Sequence, residues 1–182
     1  MTNETDELTV HEHLSRAYAN LACAHSALRA GRTQYQQIDY IIRSKLLKGL
    51  KTGSMSVRSL YDDERQTLSV ARCCVYCGKE GPLTLDHIFP QAEYSGDSGY
   101  NLVHACRVCN SSKGKKDLLL WYRGRNSFPP LLLFRRYLKL AMHIAEQAGV
   151  SECRASDVPD GTLPFRIADI PLKLPPLDTL SQ

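Results

Sequence analysis

Apolar residues recur at helical intervals toward both ends of the chain and at strand intervals near its middle. Leu14, Ala17, Tyr18, Leu21, His25 and Leu28 keep an i, i+3, i+4 rhythm that predicts a helix over residues 7–30, stopped by Gly31. Thr9 and Glu12 have the spacing of a capping box at its start. Residues 34–48 predict a second helix, with Tyr35, Ile38, Ile42 and Leu46 on one face and Arg43, Lys45 and Lys48 mostly off it. "GLKTGSMS" breaks that helix with two glycines, and "YDDERQTLSV" predicts a short helical piece. "LTLDHI" sets Leu83, Leu85 and His87 against Thr84, Asp86 and Ile88, the alternation of a strand, which Pro90 ends. After the glycine-punctuated "SGDSGYN", the stretch "LVHA" predicts a second short strand. A helix opening near Cys109 then carries Asn110, Lys113 and Lys116, and "LLLWYRGR" predicts another short one. Leu131 to Ala148 predicts a last amphipathic helix. Phe134, Leu138, Ala141, Ile144 and Ala145 face its core side, and Arg135, Arg136, Lys139 and His143 form an exposed basic ridge.

This order of elements predicts an α+β chain that is mostly helical. Five of the nine prolines fall within residues 159–176, so the C-terminal end reads as an extended tail that packs on the body or on a partner. No internal repeat is evident.

Composition adds little to that outline: 182 residues with 43% hydrophobic and 23% charged content fit an ordinary globular protein. No apolar run approaches the roughly 20 residues needed to span a bilayer. The acidic start "MTNETDELTV" is unlike a secretory or transit signal, and the expected location is cytoplasmic, with no membrane partner. The net charge of +4 is unevenly spread. Residues 29–58 hold seven Lys/Arg against Asp39 alone, and residues 106–139 hold nine against Asp117 alone. Such blocks suit a polyanionic partner or a solvated helix face.

Cysteine spacing changes the picture most. Cys74-x-x-Cys77 and Cys106-x-x-Cys109 are two tight pairs, the arrangement of a four-sulfur structural zinc site. Gly78 gives the first turn its backbone freedom. Two such pairs argue against a redox Cys-x-x-Cys, and four thiolates fill the ion's coordination, so the zinc is expected to staple the fold and to do no catalysis. Cys23 reads as a buried small hydrophobe, Cys73 as a spare sulfur and His104 as a packing histidine.

Cys74-x-x-Cys77, Asp86-His87-Ile88-x-Pro90, Asn101-Leu102 and Cys106-x-x-Cys109-Asn110-x-x-Lys113 together resemble the HNH endonucleases, whose core is a zinc-stapled ββα-metal finger. The resemblance covers Cys74 to Asp117, about a quarter of the chain. It implies residues 71–120 as the nuclease core, and the periodicity and proline content set around it residues 1–70 as an N-terminal helical extension, 121–150 as a C-terminal amphipathic helix and 151–182 as a Pro-rich tail. Within it, His87 is suited to be the general base that activates water. Asp86 and Asn110 offer hard oxygens for a catalytic Mg²⁺ or Mn²⁺. The resemblance implies that Asn101 braces the loop and orients the His87 ring, and that the products carry 5′-phosphate and 3′-hydroxyl ends. Lys113 is either a phosphate contact or an ordinary exposed helix lysine. Taken singly, Asp86 and Asn110 also suit turn and helix caps.

HNH enzymes cleave DNA far more often than RNA, so DNA is the expected substrate. Arg135, Arg136 and Lys139, with Arg43, Lys45, Lys48 and Lys51, are candidate phosphate contacts that position DNA without reading bases. Trp121 and Tyr122, beside three leucines, read as core. Similar stand-alone HNH proteins occur in bacteria and phages and some serve in antiviral defence. The rival expectations are a non-catalytic zinc module that binds nucleic acid or protein, and an effector subunit activated by an ATPase or sensor partner. A double-strand break requires a homodimer or a second event, because one such centre cuts one strand.

Overall fold

A computed structural model of the chain describes residues 8–57, 73–90 and 99–181. Helix α1 spans Val10–Arg29, and Thr9 caps it as its spacing predicts: Thr9 Oγ1 accepts from Glu12 N at 3.1 Å while the Glu12 carboxylate accepts from Thr9 N. Helix α2 spans Gln37–Lys51 and packs along α1.

Two expectations for α2 need correction. The helix runs through Gly49 and ends only at Thr52 and Gly53, whose φ of +69° suits glycine. Ile38 does not face the core; it is 48% exposed, with Ile41 exposed beside it. The cause is polar. Asp39 is wholly buried, its carboxylate accepting from Gln36 N at 2.9 Å and pairing with Arg32 Nη2 at 2.6 Å. Fixing Asp39 inward carries Leu46 and Leu50 inward with it and rotates Ile38 and Ile41 to solvent. The helical piece read over "YDDERQTLSV" lies outside the described residues.

Strands β1 (Leu83–His87) and β2 (Leu102–Cys106) form an antiparallel ribbon, in register Leu83 to Cys106 and His87 to Leu102. Helix α3 (Arg107–Lys113) follows directly and covers one face of the ribbon. The covered face joins the polar side of β1 to the apolar side of β2: Asp86 is buried opposite buried Val103, and Leu85 on the other side is 57% exposed. Asp117 caps helix α4 (Leu118–Arg123), accepting from Leu119 N and Leu120 N. Helix α5 (Leu131–Gln147) packs its apolar face on α1. Trp121 and Tyr122 are core residues, as is Cys23.

The basic ridge read on α5 is not there. Arg136 and Lys139 are buried and Arg135 is half-buried, leaving His143 exposed. Arg136 Nε donates to Tyr100 O at 2.8 Å and Nη2 to Gly99 O at 3.2 Å, so this guanidinium braces the short 3₁₀ turn Gly99–Asn101.

The Pro-rich end packs on the body. Leu163, Phe165, Ile170, Leu177 and Leu180 are buried, and the Phe165 ring lies 5.4 Å from that of Phe89. Its backbone is tied down as well: Ile170 O meets the His13 ring at 3.0 Å, Leu172 O accepts from Asn20 and Ser181 O accepts from Leu131 N. Among the described residues one buried hydrophobic cluster draws on α1, the cysteine segment, α5 and the tail. No helix among them is long and apolar enough to cross a membrane.

Candidate active site and metal centre

The ribbon register brings the cysteines together. Cys106 ends β2 opposite Leu83 and caps α3, its sulfur accepting from Cys109 N at 3.5 Å. Cys74 lies in a turn closed by Gly78 N to Cys74 O at 2.8 Å, with Gly78 at a φ of +72°. Val75 N donates to His104 O at 3.0 Å and lays this turn along β2. The sulfurs of Cys74, Cys77, Cys106 and Cys109 all lie within 4.8 Å of one another, with Cys77 and Cys106 3.9 Å apart. A zinc–sulfur bond of about 2.3 Å sets a tetrahedral edge of about 3.8 Å, so the cluster fits zinc. The Cys109 N–H pulls the Cys106 thiol down to about 7, toward the thiolate a metal requires. Burial pushes the Cys109 thiol up, an effect that a cation among four sulfurs overrides. Cys73 and His104 stand outside the cluster, as the spacing implied.

Asp86 sits three strand positions from this cluster, facing α3. Its Oδ1 accepts from His87 N and its Oδ2 from the Tyr76 hydroxyl, both at 2.8 Å. Burial and the adjacent carboxylate raise Tyr76 far above the usual phenol range, so it stays a donor. Lys113 is the main correction at the site. It is 1% exposed, neither a surface lysine nor a residue reaching outward to phosphate. Its Nζ donates to His87 O at 2.6 Å and lies 3.7 Å from Asp86 Oδ2. Burial lowers its pKa, against which the Asp86 charge works.

His87 is therefore gripped through its main chain, with Asp86 at its N–H and Lys113 at its carbonyl, and its side chain is half-buried. Asn101, 1% exposed, holds the next two residues. Its Oδ1 accepts from Phe89 N and its Nδ2 donates to Phe89 O, both at 2.9 Å, while its own carbonyl accepts from Ile88 N at 2.8 Å. Asn110 is set from α3 against β1: its Nδ2 donates to Thr84 Oγ1 at 2.9 Å and to Leu85 O at 3.2 Å. Because the nitrogen takes both acceptors, the amide oxygen is turned away from them. Asp86 and His87 on β1 and Asn110 on α3 thus line the β1–α3 seam, and Asn101 holds the two residues that follow His87; Arg136, from α5, reaches the turn that carries Asn101 through the Gly99 and Tyr100 carbonyls.

Tyr76 and the bracing Arg136 were missed at the level of sequence. Tyr76 carries one signal, its position inside the Cys-x-x-Cys turn. Exposed cations near α3 are Arg107, Lys115 and Lys116.

Residues 74–116 match the family model described as HNH endonuclease. No curated protein and no solved structure matches the chain. The segment that folds as ribbon, cysteine cluster and helix is thus the one that matches the HNH endonuclease family, and its four cysteines are positioned to form a metal site.

Proposed function

We propose that this segment is a metal-dependent endonuclease that hydrolyses DNA phosphodiester bonds, with His87 as the general base. The observation that carries the reading is the joint immobilisation of Asp86 and Asn110 on one seam, next to a histidine gripped on both sides of its peptide. A carboxylate and an amide oxygen are hard donors, suited to Mg²⁺ or Mn²⁺ with coordination positions left for water and phosphate. When bound, such an ion neutralises phosphate charge and the developing charge on the leaving 3′ oxygen. His87 takes the proton of the attacking water as general base. Asn101 acts through the backbone, holding Ile88 and Phe89 so that His87 keeps its place at the end of β1.

Phosphate contacts are assigned to Arg107 at the start of α3, to Lys115 and Lys116 just beyond its end, and to exposed Lys45 and Lys48 on α2. These are sequence-independent contacts, so cutting is expected to show weak intrinsic sequence preference.

One observation favours a second reading. Asp86 bonded to Tyr76 beside the Lys113 ammonium is also how a purely structural carboxylate is satisfied. The chain would then be a zinc-stabilised nucleic-acid or protein binding module. Incubating the zinc-loaded protein with supercoiled plasmid separates the two. The nuclease nicks or linearises plasmid on addition of Mg²⁺ or Mn²⁺ and fails as Asp86→Ala or Asn110→Ala. A binding module retards the plasmid in a gel and leaves it intact with each metal. A partner-activated effector in phage defence, or a nuclease of a mobile element, is the biological setting that the family likeness suggests. Co-purification with an ATPase or sensor subunit, and cutting only in its presence, identifies the effector case.

A further inference from the structure

We infer that Tyr76 is a positioning residue for the Asp86 carboxylate, the arm through which the sulfur cluster sets the direction of a ligand oxygen in the proposed divalent-cation site. This rests on the reading of Asp86 as a metal ligand. Tyr76 lies between Cys74 and Cys77, so its main chain moves with the cluster. Its carbonyl accepts from the Tyr122 hydroxyl at 2.8 Å. Its ring stands edge-on to Trp121 at 5.3 Å, and Trp121 is itself held by Nε1 donating to Ser112 Oγ at 3.1 Å. The phenol is therefore a rigid lever ending on Asp86 Oδ2 at 2.8 Å.

Among the described residues no other side chain hydrogen-bonds that oxygen. Lys113 Nζ is 3.7 Å from it, beyond hydrogen-bond reach, and already bonds the His87 carbonyl. A carboxylate oxygen has more than one lone pair, so the Tyr76 bond leaves acceptor capacity for a cation while fixing where that capacity points. Without the hydroxyl, the nearest compensation for a buried Oδ2 is the Lys113 ammonium. The carboxylate turns toward it and the ligand oxygen leaves its place. Loss of a partner that orients a ligand typically weakens metal binding about 10- to 100-fold.

The test is calorimetric titration of Mn²⁺ into the zinc-loaded full chain as wild type, Tyr76→Phe and Asp86→Ala, with zinc content measured on each. The expected result is a Mn²⁺ site in the wild type, none in Asp86→Ala, and binding weakened about tenfold in Tyr76→Phe with zinc retained. The Mg²⁺ concentration for half-maximal cleavage rises by a similar factor. Tyr76→Phe binding Mn²⁺ within about twofold of wild type, beside a silent Asp86→Ala, overturns the inference and leaves the nuclease reading standing. Loss of zinc from Tyr76→Phe also overturns it, by assigning the phenol to the cluster's own stability. A wild type with no Asp86-dependent Mn²⁺ site removes both the inference and the reading beneath it.

Discussion

Asn101→Ala removes a buried side chain that bonds through both its oxygen and its nitrogen. Its amide pairs with both backbone groups of Phe89, a residue with no exposure, and the remaining bond from Ile88 N to Asn101 O does not involve the side chain. Alanine leaves one N–H and one C=O buried without partners. Each such group costs about 1–3 kcal/mol, so the variant should lose roughly 2–6 kcal/mol, with about 3 as the working figure. Asn101→Asp keeps the acceptor for Phe89 N but presents an oxygen to Phe89 O, and should lose at least as much. Trp121, the chain's single tryptophan, is buried against Tyr76 and Tyr122 and reports this region by fluorescence. Urea unfolding of the zinc-loaded protein followed by Trp121 emission gives the stability change. Plasmid cleavage under conditions where the variant is folded should fall more than tenfold, because the peptide after His87 loses its brace. A variant within about 0.5 kcal/mol of wild type that cuts at the wild-type rate refutes the bracing argument.

Cys109→Ser should abolish stoichiometric zinc and with it the ordered β1–β2–α3 unit, since structural zinc contributes on the order of 10 kcal/mol in small fingers; metal analysis and circular dichroism check this. Lys113→Met leaves the His87 carbonyl and the Asp86 carboxylate without their cation and should cost on the order of 3 kcal/mol in urea unfolding; an unchanged midpoint refutes the buried ion-pair geometry. His13 donates from Nε2 to Ile170 O, and its Nδ1 is buried without a partner among the described residues. Burial lowers its pKa below the ordinary 6.5, so the unfolded chain takes up the proton first and stability is lost as pH falls below about 6.5, by up to about 1.4 kcal/mol per pH unit. His13→Gln should flatten that part of the pH dependence; a variant with the wild-type slope between pH 6.5 and 5.5 contradicts it.

The local signals in the chain were legible where the chain itself decides the outcome. The Thr9 and Glu12 box, the apolar face of α5 and the spacing of four cysteines each depend on residues close in sequence or on a fixed ligand count. What misled were cations and apolar residues whose fate is set by distant partners. Ile38 reads as core until Arg32 pulls Asp39 inward and turns the helix. Arg136 reads as surface until the carbonyls of Gly99 and Tyr100 fold onto its guanidinium. Lys113 sits a turn beyond Asn110, the usual place of a solvated lysine, yet the polar face of β1 offers it a carbonyl and a carboxylate. Tyr76 looks like a filler inside a metal knuckle because its bond to Asp86 exists only once the ribbon has formed. Periodicity reports which faces are apolar; it says nothing of which polar groups will find one another.

Single-turnover cleavage of a duplex oligonucleotide by wild type and His87→Ala, both carrying one zinc and saturated with Mg²⁺, tests the central claim most directly. A positioned general base is worth about 10²- to 10⁴-fold, and His87 makes its structural bonds through its main chain, so the variant should stay folded and lose that much rate. A zinc-loaded His87→Ala that cuts within a few-fold of wild type contradicts the account.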